Sequence, residues 1–369
     1  MRKPGQMDWR HSLMRSAGSL VTCLCLLLSS CIRVGPKKIP GDRFNYATAI
    51  ATSWKEQMLT NVVKLRYMEP PVFLDVQQIV TQYTLEGSAT VNTPDWSGNP
   101  AGSAANLYGR WAESPTITYN LMSGDRFIKS LLEPASPLSL LELIQSGWPV
   151  DAVFEVAVKG INGLYAASGA ERSRHQGDPR FYQVVKLMRE LQMRNCFNIR
   201  VQGGKGGEET VFVFRKEHPD PETRAISKTV RELLGLSQTA AEFHVAFGSL
   251  NKDDTEIAFL TRSMLDILME TSAGVDIPQA EIDEGRVTKP LMGKTEDELS
   301  LQHLIHVKSS TKKPEATDAF AAIPYHGYWF WIDDRDLSSK RGLAFLMTLL
   351  TLASPGATIA PPVLTISKP

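Results

Sequence analysis

Residues 319–353 read AFAAIPYHGYWFWIDDRDLSSKRGLAFLMTLLTLA. Two runs rich in aromatic and apolar residues flank His326-Gly327, a pair suited to a tight turn. They predict a hairpin of strands over 319–325 and 328–332. Asp333, Asp334 and Asp336 come next, where carboxylates favour the positive end of a helix dipole. The spacing then predicts a helix over 337–353. No charged residue occurs from 342 to 367, which raises the question of a membrane anchor. The compact apolar run is only 343–353, which as a helix rises about 16 Å, roughly half the hydrocarbon thickness. Ser354-Pro355-Gly356 and Pro361-Pro362 break the chain beyond it, so a buried core helix is expected.

The same mixture of helices and short strands recurs upstream. Ile50, Trp54, Met58, Val62 and Leu65 share one face of an expected helix over 47–67, ended by Glu69-Pro70-Pro71. A second helix is read over 74–85, with Asp75 near its start. The stretch 92–106, NTPDWSGNPAGSAAN, has neither helical nor strand period and reads as a loop. Trp96 inside it either tucks back onto the body or meets a partner or membrane. A strand at 115–119 and helices at 124–132 and 137–146 come after it. Residues 151–164 suit both a helix and a strand, with helix preferred. Asp178-Pro179 and Asp220-Pro221 open two further helices, the second stopped by Gly235. Strands are expected at 196–202 and 210–216, joined through Gly203-Gly204-Lys205-Gly206-Gly207, and at 242–247, 256–260, 301–308 and 363–366. A helix is expected over 263–271. This pattern predicts an α+β fold, with antiparallel sheets and hairpins covered by helices. The expected modules are 46–175, 176–275 and 276–369.

The N-terminus reads as an address. Arg2, Lys3, Arg10 and Arg15 precede an uncharged stretch over 17–28, too short to span a membrane as a helix and suited to a secretory signal. Leu28-Ser29-Ser30-Cys31 resembles the lipobox of bacterial lipoproteins, which implies cleavage before Cys31 and acylation of that cysteine. Multiple acyl chains hold a protein to a membrane firmly, at about 0.8 kcal/mol per buried CH2. Ile32 stands next rather than Asp, which by the same resemblance favours the outer membrane over the inner. Residues 31–45 are expected to form the lipidated end and its tether. Cys23 and Cys25 leave with the signal, so Cys196 remains alone and no intrachain disulfide is expected. Its surroundings suit a buried structural thiol.

Composition narrows the function classes. The chain has 369 residues, 43% of them hydrophobic, with 40 Lys+Arg against 40 Asp+Glu. That excludes wholesale disorder and argues against a generally basic nucleic-acid binder. Motifs for catalysis are weak. Gly293-Lys294-Thr295 lacks the earlier glycine of a phosphate loop, Thr288 standing in its place. The GGKGG run joins strands instead of opening a helix. His303 and His306 fall on opposite faces of the expected strand. Three Ser-x-x-Lys spacings, beginning at Ser249, Ser309 and Ser310, lie in polar loops without the motifs that accompany a serine nucleophile. Asp333, Asp334 and Asp336 lack the alternation of a calcium loop. No cofactor, metal or catalytic residue is assigned. The most distinctive surface candidate is the strand 328–331, on which Trp329 and Trp331 face one way and Tyr328 and Phe330 the other. One face is expected to meet the next helix; the other is buried too, or binds sugar rings or a protein partner through stacking.

Four stretches, QMLTNVVKLRYMEPPVFLDV (57–76), PTITYNLMSGDRFIKSLLEP (115–134), GWPVDAVFEVAVKGINGL (147–164) and YWFWIDDRDLSSKRGLAFLMTLLTL (328–352), carry a resemblance to a family of proteobacterial outer-membrane lipoproteins without an assigned function. The resemblance implies a lipid-anchored envelope protein and supplies no catalytic residues. The expectation is a non-enzymatic accessory of an envelope assembly or transport complex, facing the periplasm and held to the membrane through Cys31. Its expected partner is another envelope protein, with Trp96, Trp329 and Trp331 as contact candidates. The alternative is a protein that binds or degrades peptidoglycan.

Overall fold

The computed structural model describes residues 39–92, 104–167, 177–204, 207–215, 220–287 and 304–353. The chain divides into two compact units, 1–53 and 54–369. In the first unit the described residues are helical from Ile39, within the segment expected as tether. Pro40 is tolerated there because a first-turn N–H has no intrahelical partner. Ile39, Phe44 and Ile50 lie exposed on this part of the helix Ile39–Arg66.

In the second unit the same helix buries Met58, Leu59, Val62, Val63 and Leu65. The residues after it form not a helix but a long antiparallel ribbon, β1 (Leu74–Asn92) and β2 (Ala104–Leu121). The helix expected over 74–85 is thereby corrected. Val76, Ile79, Val80, Thr81, Tyr83 and Thr84 favour a pleated strand, and pairing with β2 satisfies their backbone. A bulge between Val76 and Gln78 shifts the register there and hides the two-residue period from a reading of the sequence. The expected strand 115–119 is the body-side part of β2. The expected loop 92–106 is strand at residues 92 and 104–106, and its remainder lies outside the described residues.

A short helix, Asp125–Phe127, continues as one π-turn, Ile128–Leu132. Helices Pro137–Gln145 and Val150–Ala157 come next. Residues 151–164 turn out to be both things: helix to Ala157, then β3 (Val158–Ile161) and the start of β4 (Leu164–Tyr165). Buried Arg262 stops that helix by donating to the carbonyls of Glu155, Val156 and Val158, and it reaches Ala167 as well. A distant guanidinium therefore decides where the helix gives way to strand.

β5 (Phe197–Gly204), β6 (Gly207–Phe214), β7 (Glu242–Phe247) and β8 (Glu256–Thr261) complete a six-stranded sheet in the order β4-β3-β8-β7-β6-β5. All its pairs are antiparallel except β7–β8. The sheet draws strands from both sides of residue 175, so the first two expected modules share it. Helices Pro179–Met193 and Pro221–Leu233 start on the expected Asp-Pro caps, with Asp178 and Asp220 each accepting from backbone N–H groups of the first turn. Helix Met264–Thr271 starts on a reciprocal cap between Ser263 and Asp266. Phe154, Phe181, Phe212, Phe214, Phe243 and Phe259 form the buried aromatic centre. An apolar cavity among Phe154, Val184, Phe212 and Phe259 has space for about one water molecule, too little for a ligand.

The C-terminal hairpin forms as read. β10 (Ala319–Tyr325) and β11 (Tyr328–Asp333) meet at His326 and Gly327, both at positive φ (48° and 82°), and β9 (Lys308–Ser310) adds a third strand beside β11. Of the strand expected at 301–308, residues 301–303 lie outside the described residues, 304–306 are not strand, Val307 makes only an isolated bridge to Val275, and β9 begins at Lys308. Ile305 and Val307 there are buried, and the His306 N–H donates to Ser339 Oγ instead of to a sheet neighbour. Helix Leu337–Ala353 buries Leu343, Phe345, Leu346, Leu349 and Leu350, so it is a core helix. Gly342 allows the close approach, because a Cβ there would collide with the Leu304 carbonyl oxygen. The expected strand at 363–366 lies outside the described residues.

Candidate functional site

The feature that the fold itself accounts for least is the β1–β2 ribbon. Its strands are 19 and 18 residues long, and no third strand joins them among the described residues. Not one described side chain on either strand is buried. Val80, Tyr108, Ile117, Tyr119 and Leu121 are all exposed, although each is apolar or aromatic. Among the described residues both outer edges present unpaired backbone N–H and C=O groups, which templates further strand pairing.

The base of the ribbon is, by contrast, firmly held. The Asn61 carboxamide accepts from the Val72 N–H at 2.8 Å and donates to the Val72 carbonyl at 2.8 Å. Gln57, one helical turn earlier, does the same with Leu74, at 2.7 and 3.2 Å. Two side-chain amides on the helix thus act as a surrogate strand. Arg126 pairs with Asp75 at 2.6 Å, and the Met122 N–H donates to the Phe73 carbonyl at 2.9 Å. Phe73 and Met122 are buried just below. A seated base with an uncovered shaft suits a part whose covering comes from another molecule.

The second candidate is the C-terminal aromatic strand. Phe330 and Ile332 are fully buried, while Trp329 and Trp331 on the other face are half-buried. The Lys313 ammonium sits 5.0 Å from the centre of the Trp329 ring. The tryptophan face is therefore partly covered by its own chain. At the hairpin turn, His326 stacks with Tyr67 and Tyr325 at 4.9 and 4.6 Å. Its ring lies between two carboxylates, Glu69 at 3.4 Å and Glu281 at 3.9 Å. Glu281 is buried, and its Oε2 has no hydrogen-bond partner. The Tyr67 hydroxyl is buried without a partner, and burial together with the Glu281 carboxylate pushes its pKa up to about 12. Burial, with Glu69 adding to it, raises the Tyr325 phenol as well.

Cys31 and Trp96 lie outside the described residues, as do His303 and the Gly293-Lys294-Thr295 stretch. Cys196 is buried, and burial raises its thiol pKa, the setting of a structural thiol. His306 pairs with Asp276 at 2.9 Å. Asp336 caps the last helix through Ser339, while Asp334 pairs with Lys340 at 2.7 Å and Asp333 with Lys308 at 2.8 Å. Of the ribbon, sequence reasoning finds only the strand 115–119. The signal for the rest is the alternation of apolar and polar residues from Tyr83 onward, matched across β2 by Leu107, Gly109 and Trp111.

No family model, no curated protein and no solved structure matches the chain. Among the described residues, no helix is long and apolar enough to cross a membrane, which says nothing of β-structure.

Proposed function

We propose that the protein is a lipid-anchored outer-membrane lipoprotein that works as a non-enzymatic interaction component of an envelope assembly or transport complex. The observation that carries the interaction reading is the uncovered ribbon: a seated base, two open edges and exposed apolar side chains. The motivation for the anchor is Leu28-Ser29-Ser30-Cys31 behind a basic and then apolar leader. The half-covered Trp329 and Trp331 make peptidoglycan binding through stacked rings the weaker reading.

Two measurements test it. Metabolic labelling with a fatty-acid analogue should mark the wild type and leave Cys31→Ala unmarked; equal labelling overturns the anchor. Crosslinking in cells, followed by purification and mass spectrometry, should recover the chain in a stoichiometric protein assembly. Recovery as an uncrosslinked monomer, or with wall fragments alone, overturns the interaction reading.

A further inference from the structure

We propose that the β1–β2 ribbon is a membrane-spanning hairpin, and that several copies of this chain close edge to edge into one transmembrane β-barrel. The inference rests on the lipoprotein reading for the membrane concerned and goes beyond it in the role assigned to the protein there: it lines a water-filled pore.

The first observation is the division of faces. Beyond the bulge, the register pairs odd positions with odd and even with even. On one face stand positions Ile79, Tyr83, Leu85, Gly87, Ala89 and Val91, opposite Ile117, Glu113, Trp111, Gly109, Leu107 and Ala105. On the other stand Gln82, Thr84, Glu86, Ser88 and Thr90, opposite Ser114, Ala112, Arg110, Tyr108 and Asn106. The first face is apolar apart from Thr81 and Glu113. The second carries hydroxyl, amide and charged residues, with Glu86 directly opposite Arg110. Lipid outside and water inside require this alternation of a barrel strand.

The second observation is length. Tyr83 and Trp111 occupy adjacent positions of the apolar face, and aromatic residues favour the level where headgroups begin. From there to the far end of the ribbon the paired segments are 83–92 and 104–113. Each has about 10 residues, against the roughly 9–11 that a tilted membrane strand needs. At about 3.4 Å per residue and a tilt near 40°, they reach about 26 Å, matching an apolar band of about 25 Å. Glu113 falls at the body-side end of this span, where a carboxylate meets water. The remainder of each strand toward the body leads to the clamp made by Gln57 and Asn61.

The third observation is closure. A ribbon in hydrocarbon must pair both its edges, because nothing there solvates a free N–H or C=O. Two strands cannot close on themselves. Identical copies solve this: β2 of one copy runs antiparallel to β1 of the next, and a head-to-tail contact whose rotation closes makes a ring. Each copy adds two strands, so the strand number is even at any stoichiometry, and a minimum barrel of about eight strands takes about four copies. The occupant of each edge is thus another copy of this chain. In water the same ribbon would be an unsupported two-stranded sheet with both edges open.

The test uses the full-length lipidated protein, extracted in a mild detergent and reconstituted into planar bilayers. The wild type should run as a closed homo-oligomer and give stepwise conductance. Two neighbouring substitutions at the middle of the span, on opposite faces, separate a barrel from a ribbon that stays in water. Gly87→Arg puts a charge toward lipid and should lower the yield of inserted oligomer about tenfold or more. A Cβ at Gly87 meets nothing nearer than the Tyr108 carbonyl oxygen at 4.0 Å, so the ribbon itself has room for it. Ser88→Arg puts the same charge toward the lumen; it should assemble to the wild-type extent and shift ion selectivity toward anions. The melting temperature of the body should be unchanged in both, which shows that the chain still folds. A fatty-acid-labelled protein that is monomeric and non-conducting overturns the barrel and leaves the anchor standing. A ribbon edge crosslinked to a different protein, or equal effects of the two substitutions, overturns it as well. Absence of label overturns the anchor, independently of conductance.

Discussion

Two antiparallel hairpins in this protein obey the same two-residue period and end in opposite surroundings. In β10–β11, alternate residues Phe330 and Ile332 are fully buried, and the core helix Leu337–Ala353 comes directly after the hairpin. In β1–β2, alternate residues Ile117 and Tyr119 are 40% and 58% exposed, and no described side chain of the ribbon is buried. The first hairpin brings its own cover in the residues immediately after it. The second is succeeded by Asp125–Phe127 and a π-turn, which leave it uncovered. Alternation declares that a strand has an apolar face; it does not say what that face meets. In one hairpin the answer lies within the chain; in the other, over 83–92 and 104–113, we have assigned it to lipid.

Substitutions test this contrast, and they span a wide range of effect. Leu346→Asp places a carboxylate at a fully buried position of the C-terminal core helix, and should destabilise by about 4 kcal/mol or more. An unchanged melting temperature would show that the hairpin lacks this cover. Gly342→Ala should cost about 2 kcal/mol, since the new methyl meets the Leu304 carbonyl and must push two backbones apart. Calorimetry of the purified protein reads this directly. Asn61→Ala unclamps the base of the ribbon and strands the Val72 N–H and carbonyl, at a cost of about 2 kcal/mol. Hydrogen exchange at the Val72 amide should accelerate while exchange in the β5–β8 sheet is unaffected.

Alkaline pH gives a smaller effect with a defined sign. The Tyr67 pKa is raised from 10.0 to about 12 by burial and by Glu281, so the folded state holds the neutral phenol more tightly than the unfolded chain does. That contribution is fully present below pH 10 and is lost as pH rises toward about 12. Melting temperatures across that window should fall less steeply in Tyr67→Phe. The hydroxyl has no hydrogen-bond partner, so its removal should cost little at neutral pH. Equal slopes would show that the Tyr67 environment is wetter than its burial indicates. The smallest effect belongs to the ribbon. Ile117→Asp in detergent-free protein should change body stability by less than about 0.5 kcal/mol, the usual range for an exposed position. A loss approaching that of Leu346→Asp would abolish the contrast between the two hairpins.

The elements that were legible in the sequence share a cause. Asp178-Pro179 and Asp220-Pro221 announce helix starts because a cap satisfies N–H groups only two or three residues away. The His326-Gly327 turn was legible for the same reason: positive φ at both residues closes the hairpin locally. The misreadings share a cause too. At β1 a bulge interrupts the alternation between Val76 and Gln78, and without its partner strand the segment resembles a capped helix. Residues 151–164 could not be divided because Arg262, more than a hundred residues later in the chain, supplies the stop. Of the strand expected before residue 308, only Val307 bridges a neighbour among the described residues, because Ser339, from the last helix, takes the His306 N–H.

The amino-acid order alone therefore settled the α+β mixture, the capped helices, the C-terminal hairpin and the core character of the last helix, all of which depend on contacts spanning a few residues. Folding in three dimensions decided which strands join one sheet, where the helix after Val150 stops, and that the ribbon has a seat but no cover. Those outcomes depend on groups far apart in the chain meeting, and a one-dimensional pattern carries no record of which distant backbone or side chain will arrive to satisfy a hydrogen bond or exclude water.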